Sequence, residues 1–260
     1  MSARGTYLTF VSALAAATLL TGCNSSGPSL DPAASLKTAS TAPLSYEAVA
    51  ELGKKWQAKP ADVNRGLAYA NGLESIGQSN QQLEVYAKLV QLNPENGKLA
   101  GLYGRKLVAA GRNPEAIPVL DRAIAAGGAD WRVHSALGSA YDQQGLYSKA
   151  RAEYEKALAA DPQNLIVMNN LGMSYALEGN LKQAEATLRQ ADALPRSGSE
   201  PRIRQNLALV VGLQGRFDEA SALARENLPQ EQVEENMAYL RKMLSQPNTW
   251  QQISEGETQG

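Results

Sequence analysis

The chain holds one cysteine, Cys23, and one histidine, His134, in 260 residues. These two side chains are the usual carriers of nucleophilic, proton-transfer and metal chemistry. A lone thiol closes no disulfide within the chain, and no cation beside Cys23 activates it as a nucleophile. One cysteine and one histidine cannot furnish a His/Cys zinc site. His134 therefore reads as a packed or half-exposed structural residue. Carboxylates such as Glu153, Glu155 and Glu185 alternate with lysines and arginines, the pattern of solvated helix faces. No glycine-rich phosphate loop and no Gly-x-Ser-x-Gly elbow is present. Nothing here supports turnover, so the chain is expected not to be an enzyme. What remains is an attachment point at Cys23 and a surface for binding.

The surroundings of Cys23 bear this out. Arg4 is the only charge among the first 22 residues, and Leu8 to Leu20 is an apolar run as long as a signal-peptide core and too short to span a bilayer comfortably. It ends in Leu20-Thr21-Gly22-Cys23, which resembles the bacterial lipobox. The resemblance implies that residues 1–22 are a signal peptide cut before Cys23. It also implies that the Cys23 sulfur carries diacylglycerol and that the new amine carries an acyl chain, with no other cofactor. Several acyl chains give stable membrane anchoring. By resemblance to Gram-negative lipoproteins, Asn24, a residue other than aspartate, implies sorting to the outer membrane, with the rest of the chain expected to face the periplasm. Residues 24–44, NSSGPSLDPAASLKTASTAPL, are small and polar with three prolines. They read as a tether with a root-mean-square span of roughly 25 Å.

With Arg4 removed, the expected mature chain carries 24 basic against 26 acidic residues, so no global basic field is available to hold nucleic acid. Alanine, leucine and glutamine are abundant and β-branched runs scarce, which is the composition of helices.

Order appears from Tyr46 onward. Gly77, Gly111, Gly145, Gly179 and Gly215 recur at spacings of 34, 34, 34 and 36. Seven residues before each stands a small residue: Ala70, Gly104, Gly138, Gly172 and Ala208. Ala116, Ala150, Ala184 and Ala220 follow the last four by five. The pattern is two antiparallel helices per unit. A glycine at the left-handed turn follows the first helix, and small residues stand where backbones approach closely. The clearest unit is 131–164, where Leu137-Gly138, Tyr141, Gly145, Tyr147, Ala150, Tyr154, Ala157 and Pro162 stand in the places of the tetratricopeptide repeat, which it resembles. Five units are expected: 63–96, 97–130, 131–164, 165–198 and 201–234. A truncated unit precedes them (a helix within 45–60), and a capping helix near 231–245 follows, in a repeat domain of 45–246 with a tail at 247–260. The fold class is all-α, a right-handed superhelix or α-solenoid with a concave groove. Gln82 and Asn227 break the small-residue pattern, and Pro118 falls one turn into a helix, where it is expected to weaken a bond or bend the axis.

In that family, fixed positions of each first helix line the groove. Here they give Asn71 from the first unit and Lys98 and Arg105 from the second. The third supplies Arg132 and Ser139, the fourth Asn169 and Met173, and the fifth Arg202, Gln205 and Leu209. Glu74, Ser135, Asp142, Leu177 and Leu213 occupy equivalent places. The middle is basic and amide-rich and the later part apolar. That suits a peptide with apolar anchors and an acidic group. The Lys/Asn/Asn/Lys/Arg carboxylate clamp of some family members is not present.

The segments QNLALVVGLQGRFDEASALARENL (205–228) and NMAYLRKMLSQPNTW (236–250) are similar to the repeat lipoprotein of the Tad (Flp pilus) assembly system, the TadD family. That resemblance implies a non-enzymatic outer-membrane lipoprotein that binds, in the manner of a pilotin, the pilus secretin or a neighbouring machine subunit. A type IV pilus pilotin and a scaffold for peptidoglycan hydrolases are the alternatives. Residues 245–250, with Trp250, are expected to dock on the last repeats or on the partner.

Overall fold

The computed structural model describes residues 44–245. Cys23, the tether up to residue 43 and the tail with Trp250 lie outside the described residues. Twelve α-helices follow one another, and no strand occurs among the described residues. They are α1 (Tyr46–Gln57), α2 (Val63–Ser75), α3 (Ser79–Leu92), α4 (Gly97–Ala109), α5 (Asn113–Ala125) and α6 (Trp131–Asp142). Then come α7 (Tyr147–Ala160), α8 (Leu165–Glu178), α9 (Leu181–Asp192), α10 (Pro201–Leu213), α11 (Phe217–Arg225) and α12 (Gln230–Leu244). Short turns join them into a stack of antiparallel pairs, an all-α solenoid.

The period is written in the helix starts. Asp62, Asn96, Asp130 and Asn164 each cap a first helix by accepting from the backbone N–H three residues on. Each such side chain satisfies one of the otherwise orphan donors. These caps recur every 34 residues, a signal in the sequence that the glycine register had overshadowed. The fifth first helix, α10, departs from the period. A 3₁₀ turn (Ser197–Ser199) precedes it, and Pro201 replaces the side-chain cap at its first position. Each first helix then ends at a left-handed glycine, with φ between 71° and 96° at Gly77, Gly111, Gly145, Gly179 and Gly215.

The second helices close each unit. Tyr154 from α7 packs on Gly138 of α6 so closely that a Cβ there would sit 2.8 Å from the ring. Leu120, Ala150, Leu188 and Ala220 are buried in the corresponding seams. Gln82, which stands where other units have alanine, is also buried. Its amide donates to Glu74 at 3.0 Å, which satisfies it. Pro118 does not interrupt α5, which runs continuously from Asn113 to Ala125. In the fifth unit α11 has only nine residues, because Pro229 lacks the N–H needed to carry the helix on and instead precedes α12. The unit edge drawn at 234 thus falls within α12. That last helix turns Val233, Met237, Leu240 and Leu244 onto the end of the stack.

Candidate binding groove

Successive first helices touch: α4 packs on α6, α6 on α8, α8 on α10, and α10 on α12. The second helices make no comparable contact with one another. The first helices therefore form the inner wall of the curve, and what they leave exposed there is what a ligand meets.

Asn71, Lys98, Arg105, Arg132 and Arg202 are exposed, and Ser139, Asn169, Met173, Gln205 and Leu209 are half-buried. Three other expected lining residues are not available. Ser135 and Leu213 are 7% and 6% exposed, closed over by neighbouring helices. Asp142 turns inward between units, accepting from the Tyr154 hydroxyl at 2.9 Å and the Ser174 hydroxyl at 2.6 Å. Burial pushes its carboxyl above the ordinary value, against the pull of those two hydrogen bonds. Glu74 is engaged as well. Lys106 donates to it at 2.5 Å across 32 residues, and that bond holds its carboxyl low.

Two carboxylates expected on solvated faces are also structural. Glu153 is 8% exposed, with His134 Nδ1 at 2.7 Å and Lys156 Nζ at 2.7 Å. His134 is thus a packed residue with an acidic partner. Glu185 gathers Arg189, Arg216 and Gln214 from two units. Burial pushes its carboxyl up, and the hydrogen bonds from Gln214, Arg189 and Arg216 together outweigh it, leaving the group below its ordinary value. Among the described residues, no three His, Cys, Asp or Glu side chains cluster as a metal site.

The inner wall has two distinct parts. Helices α4, α6, α8 and α10 carry six cations against two carboxylates. Of these cations, Lys106 pairs with Glu74, Arg132 with Asp130, Arg202 with Glu200 and Arg204 with Asp192. Lys98 and Arg105 pair with no described carboxylate. They rim a hollow of about 230 Å³ that also includes Leu102, Gly128 and Asp130. The hollow exists because α4 and the turn before α6 meet backbone to backbone, where a Cβ on Gly128 would overlap the Gly97 carbonyl. Sequence periodicity could not reveal this contact, because Gly127-Gly128 lies outside the glycine register. The second part is α8, which is apolar on both faces. It buries Val167 and Leu171, while Ile166 and Leu177 remain 41% and 38% exposed with half-buried Met173 between them. Asn169 beside them accepts from Asn206 at 2.8 Å, so its carbonyl ties α8 to α10.

Comparison with known proteins agrees with this architecture. Residues 102–164 and 135–199 match one tetratricopeptide-repeat family model, and 201–226 match another. An uncharacterized protein of Sinorhizobium fredii, y4yS, is 31% identical over 111 residues, covering 43% of this chain and 60% of that protein. The match thus spans 60% of that relative's length, less than two thirds. Among solved structures, PilW, described as a widely conserved type IV pilus biogenesis factor, superposes with a TM-score of 0.64. It has 18% identity over 74% of this chain and 90% of its own. YrrB, a repeat protein with an unusual peptide-binding site, gives 0.53 at 16% identity over 71% and 97%. MamA from Desulfovibrio magneticus RS-1 gives 0.53 at 25% identity over 58% and 85%. The described residues form an all-α solenoid, with tetratricopeptide repeats matched across 102–199 and 201–226.

Proposed function

We propose that this protein is a lipid-anchored assembly factor of a Tad (Flp) pilus. In this reading Cys23 holds it on the periplasmic face of the outer membrane, and the inner wall of the solenoid binds the secretin or a neighbouring machine subunit without turnover. The observation that carries the reading is the order of parts. A Leu20-Thr21-Gly22-Cys23 run comes first, then a polar spacer of about twenty residues, then a repeat solenoid with an exposed inner wall. The fold shared with PilW, itself a pilus biogenesis factor, supports a role in pilus assembly, and the 205–250 segment favours the Tad branch over a type IV pilus. No helix among the described residues is long and apolar enough to cross a membrane, so attachment is assigned to the Cys23 acyl chains.

Two experiments test this. Cys23→Ala is expected to leave a folded protein that no longer fractionates with the outer membrane; unchanged fractionation sinks the anchor. In-cell crosslinking from the exposed face of α8, read by mass spectrometry, is expected to capture a secretin or another pilus-machine subunit. Murein hydrolases as the main adducts, with no pilus component, would move the protein to the scaffold class.

A further inference from the structure

We infer that the partner segment held by the inner wall is extended, with one aspartate or glutamate side chain in the Lys98/Arg105 hollow and one large apolar side chain six residues away against Met173 of α8. The inference rests on the reading of the first-helix wall as a binding groove, and adds what that groove selects.

The acidic position comes from one unit boundary that differs from the others. Asp62, Asn96 and Asn164 each donate their backbone N–H to the carbonyl three residues before. The equivalent turn before α6 contains left-handed Gly127, with φ 72°, and there the Asp130 N–H has no acceptor among the described residues. Asp130 borders the hollow together with Lys98 and Arg105. Its own carboxylate is engaged elsewhere: Oδ1 accepts from the Val133 N–H at 2.9 Å, and Oδ2 lies 3.7 Å from Arg132. The hollow thus keeps two cations without a described counter-charge. A carboxylate side chain complements them, since it carries the opposite charge and accepts on both oxygens. The other wall cations, Lys106, Arg132, Arg202 and Arg204, already have carboxylate partners. The wall therefore favours one acidic residue at one place, not an acidic run.

The spacing comes from the repeat. Lys98 and Arg105 are the second and ninth residues of α4, and Ile166 and Met173 are the second and ninth of α8. The hollow and the apolar patch thus lie at the same level of the wall, with α6 between them. Because α4 packs on α6 and α6 on α8, and packed helices lie ~8–10 Å apart, the two places are ~16–20 Å apart. An extended chain rises ~3.3 Å per residue and turns successive side chains to opposite faces, so six residues span ~20 Å and return to the same face. Four residues fall short at ~13 Å, and an odd separation turns one of the two side chains away. In the same row of α6 stands Ser139, small and half-buried, so a backbone can lie across it.

The test is a selection of random peptides on the full chain in detergent micelles, displayed with a fused C-terminus so that only side chains supply carboxylates. Selected peptides are expected to pair Asp or Glu with Leu, Ile, Phe or Met six positions away more often than at any other separation. On Lys98→Glu with Arg105→Glu, both exposed, the acidic preference should give way to Lys or Arg while the apolar one persists. Ile166→Ser with Leu177→Ser, also exposed, should remove the apolar preference and keep the acidic one. The best peptide should bind the charge-reversed chain about tenfold more weakly at low salt. No enrichment, acids at no fixed distance from an apolar residue, a preference indifferent to the Lys98/Arg105 reversal, or enrichment only when the peptides carry a free C-terminus would overturn the inference. The partner crosslink from α8 separates the two readings. A pilus-subunit adduct whose mapped segment lacks the acidic–apolar pair overturns this inference alone, and hydrolase adducts that carry the pair overturn the pilus reading alone.

Discussion

Glu185 and Asp142 show how single carboxylates couple repeats in opposite senses. The folded state lowers the Glu185 carboxyl, so the stability it contributes is fully present above its ordinary value of 4.5 and is lost as the pH falls through the lowered value. Glu185→Gln is expected to lower stability at neutral pH by about 1 kcal/mol, discounted for the solvent exposure of its arginine partners. Denaturant melts of the two proteins should converge as the pH drops below 4.5. Asp142 is raised by burial, so its contribution runs the other way. It is present below the ordinary value of 3.8 and lost as the pH rises through the raised one. The stability of the native chain relative to Asp142→Asn should therefore fall as the pH climbs across the carboxylate range, opposite in sign to the Glu185 pair. Both residues were read from the sequence as surface groups, on a solvated face and along the groove. Their partners Arg216 and Ser174 lie 31 and 32 residues away, so only stacking brings them together.

Among the elements, the caps and the left-handed turns carry the repeat. Asn164 accepts from the Val167 N–H at the start of α8, and Asn164→Ala is expected to cost about 1 kcal/mol. Gly145 sits at φ 71° with open space around its α-carbon. The cost of Gly145→Ala is thus purely conformational, about 1–2 kcal/mol. Thermal melts check both, and neither change should alter what the inner wall binds. Such features are local, so helix pairs, turn positions and the α12 cap were all legible from spacing and residue type. Where α11 stops was less legible. Its end depends on Pro229 overriding a unit register that the rest of the repeat supports.

The whole molecule is a stack in which each unit is stable only through its neighbours. The last helix closes one end by burying Leu240, 5% exposed, beside Gly212, where a Cβ would lie 2.8 Å from the leucine methyl. Leu240→Ala should cost about 2–4 kcal/mol. In hydrogen exchange it should loosen α10 to α12 first, leaving α2 to α6 protected. Uniform loss of protection would argue against a nearest-neighbour stack.

The sequence alone determined the all-helical class, the 34-residue period and the glycine turns, because each rests on residues close together in the chain. Tertiary structure decided which side chains the inner wall offers. Leu213 occupies the position of exposed Leu177 and Asp142 that of exposed Glu74, yet packing buries the first and half-buries the second. Lys106 finds Glu74 across a repeat boundary, whereas Lys98 and Arg105 find no described carboxylate. Burial and ion pairing depend on which units lie side by side, and a periodic sequence states what each unit contains without stating what its neighbours will cover.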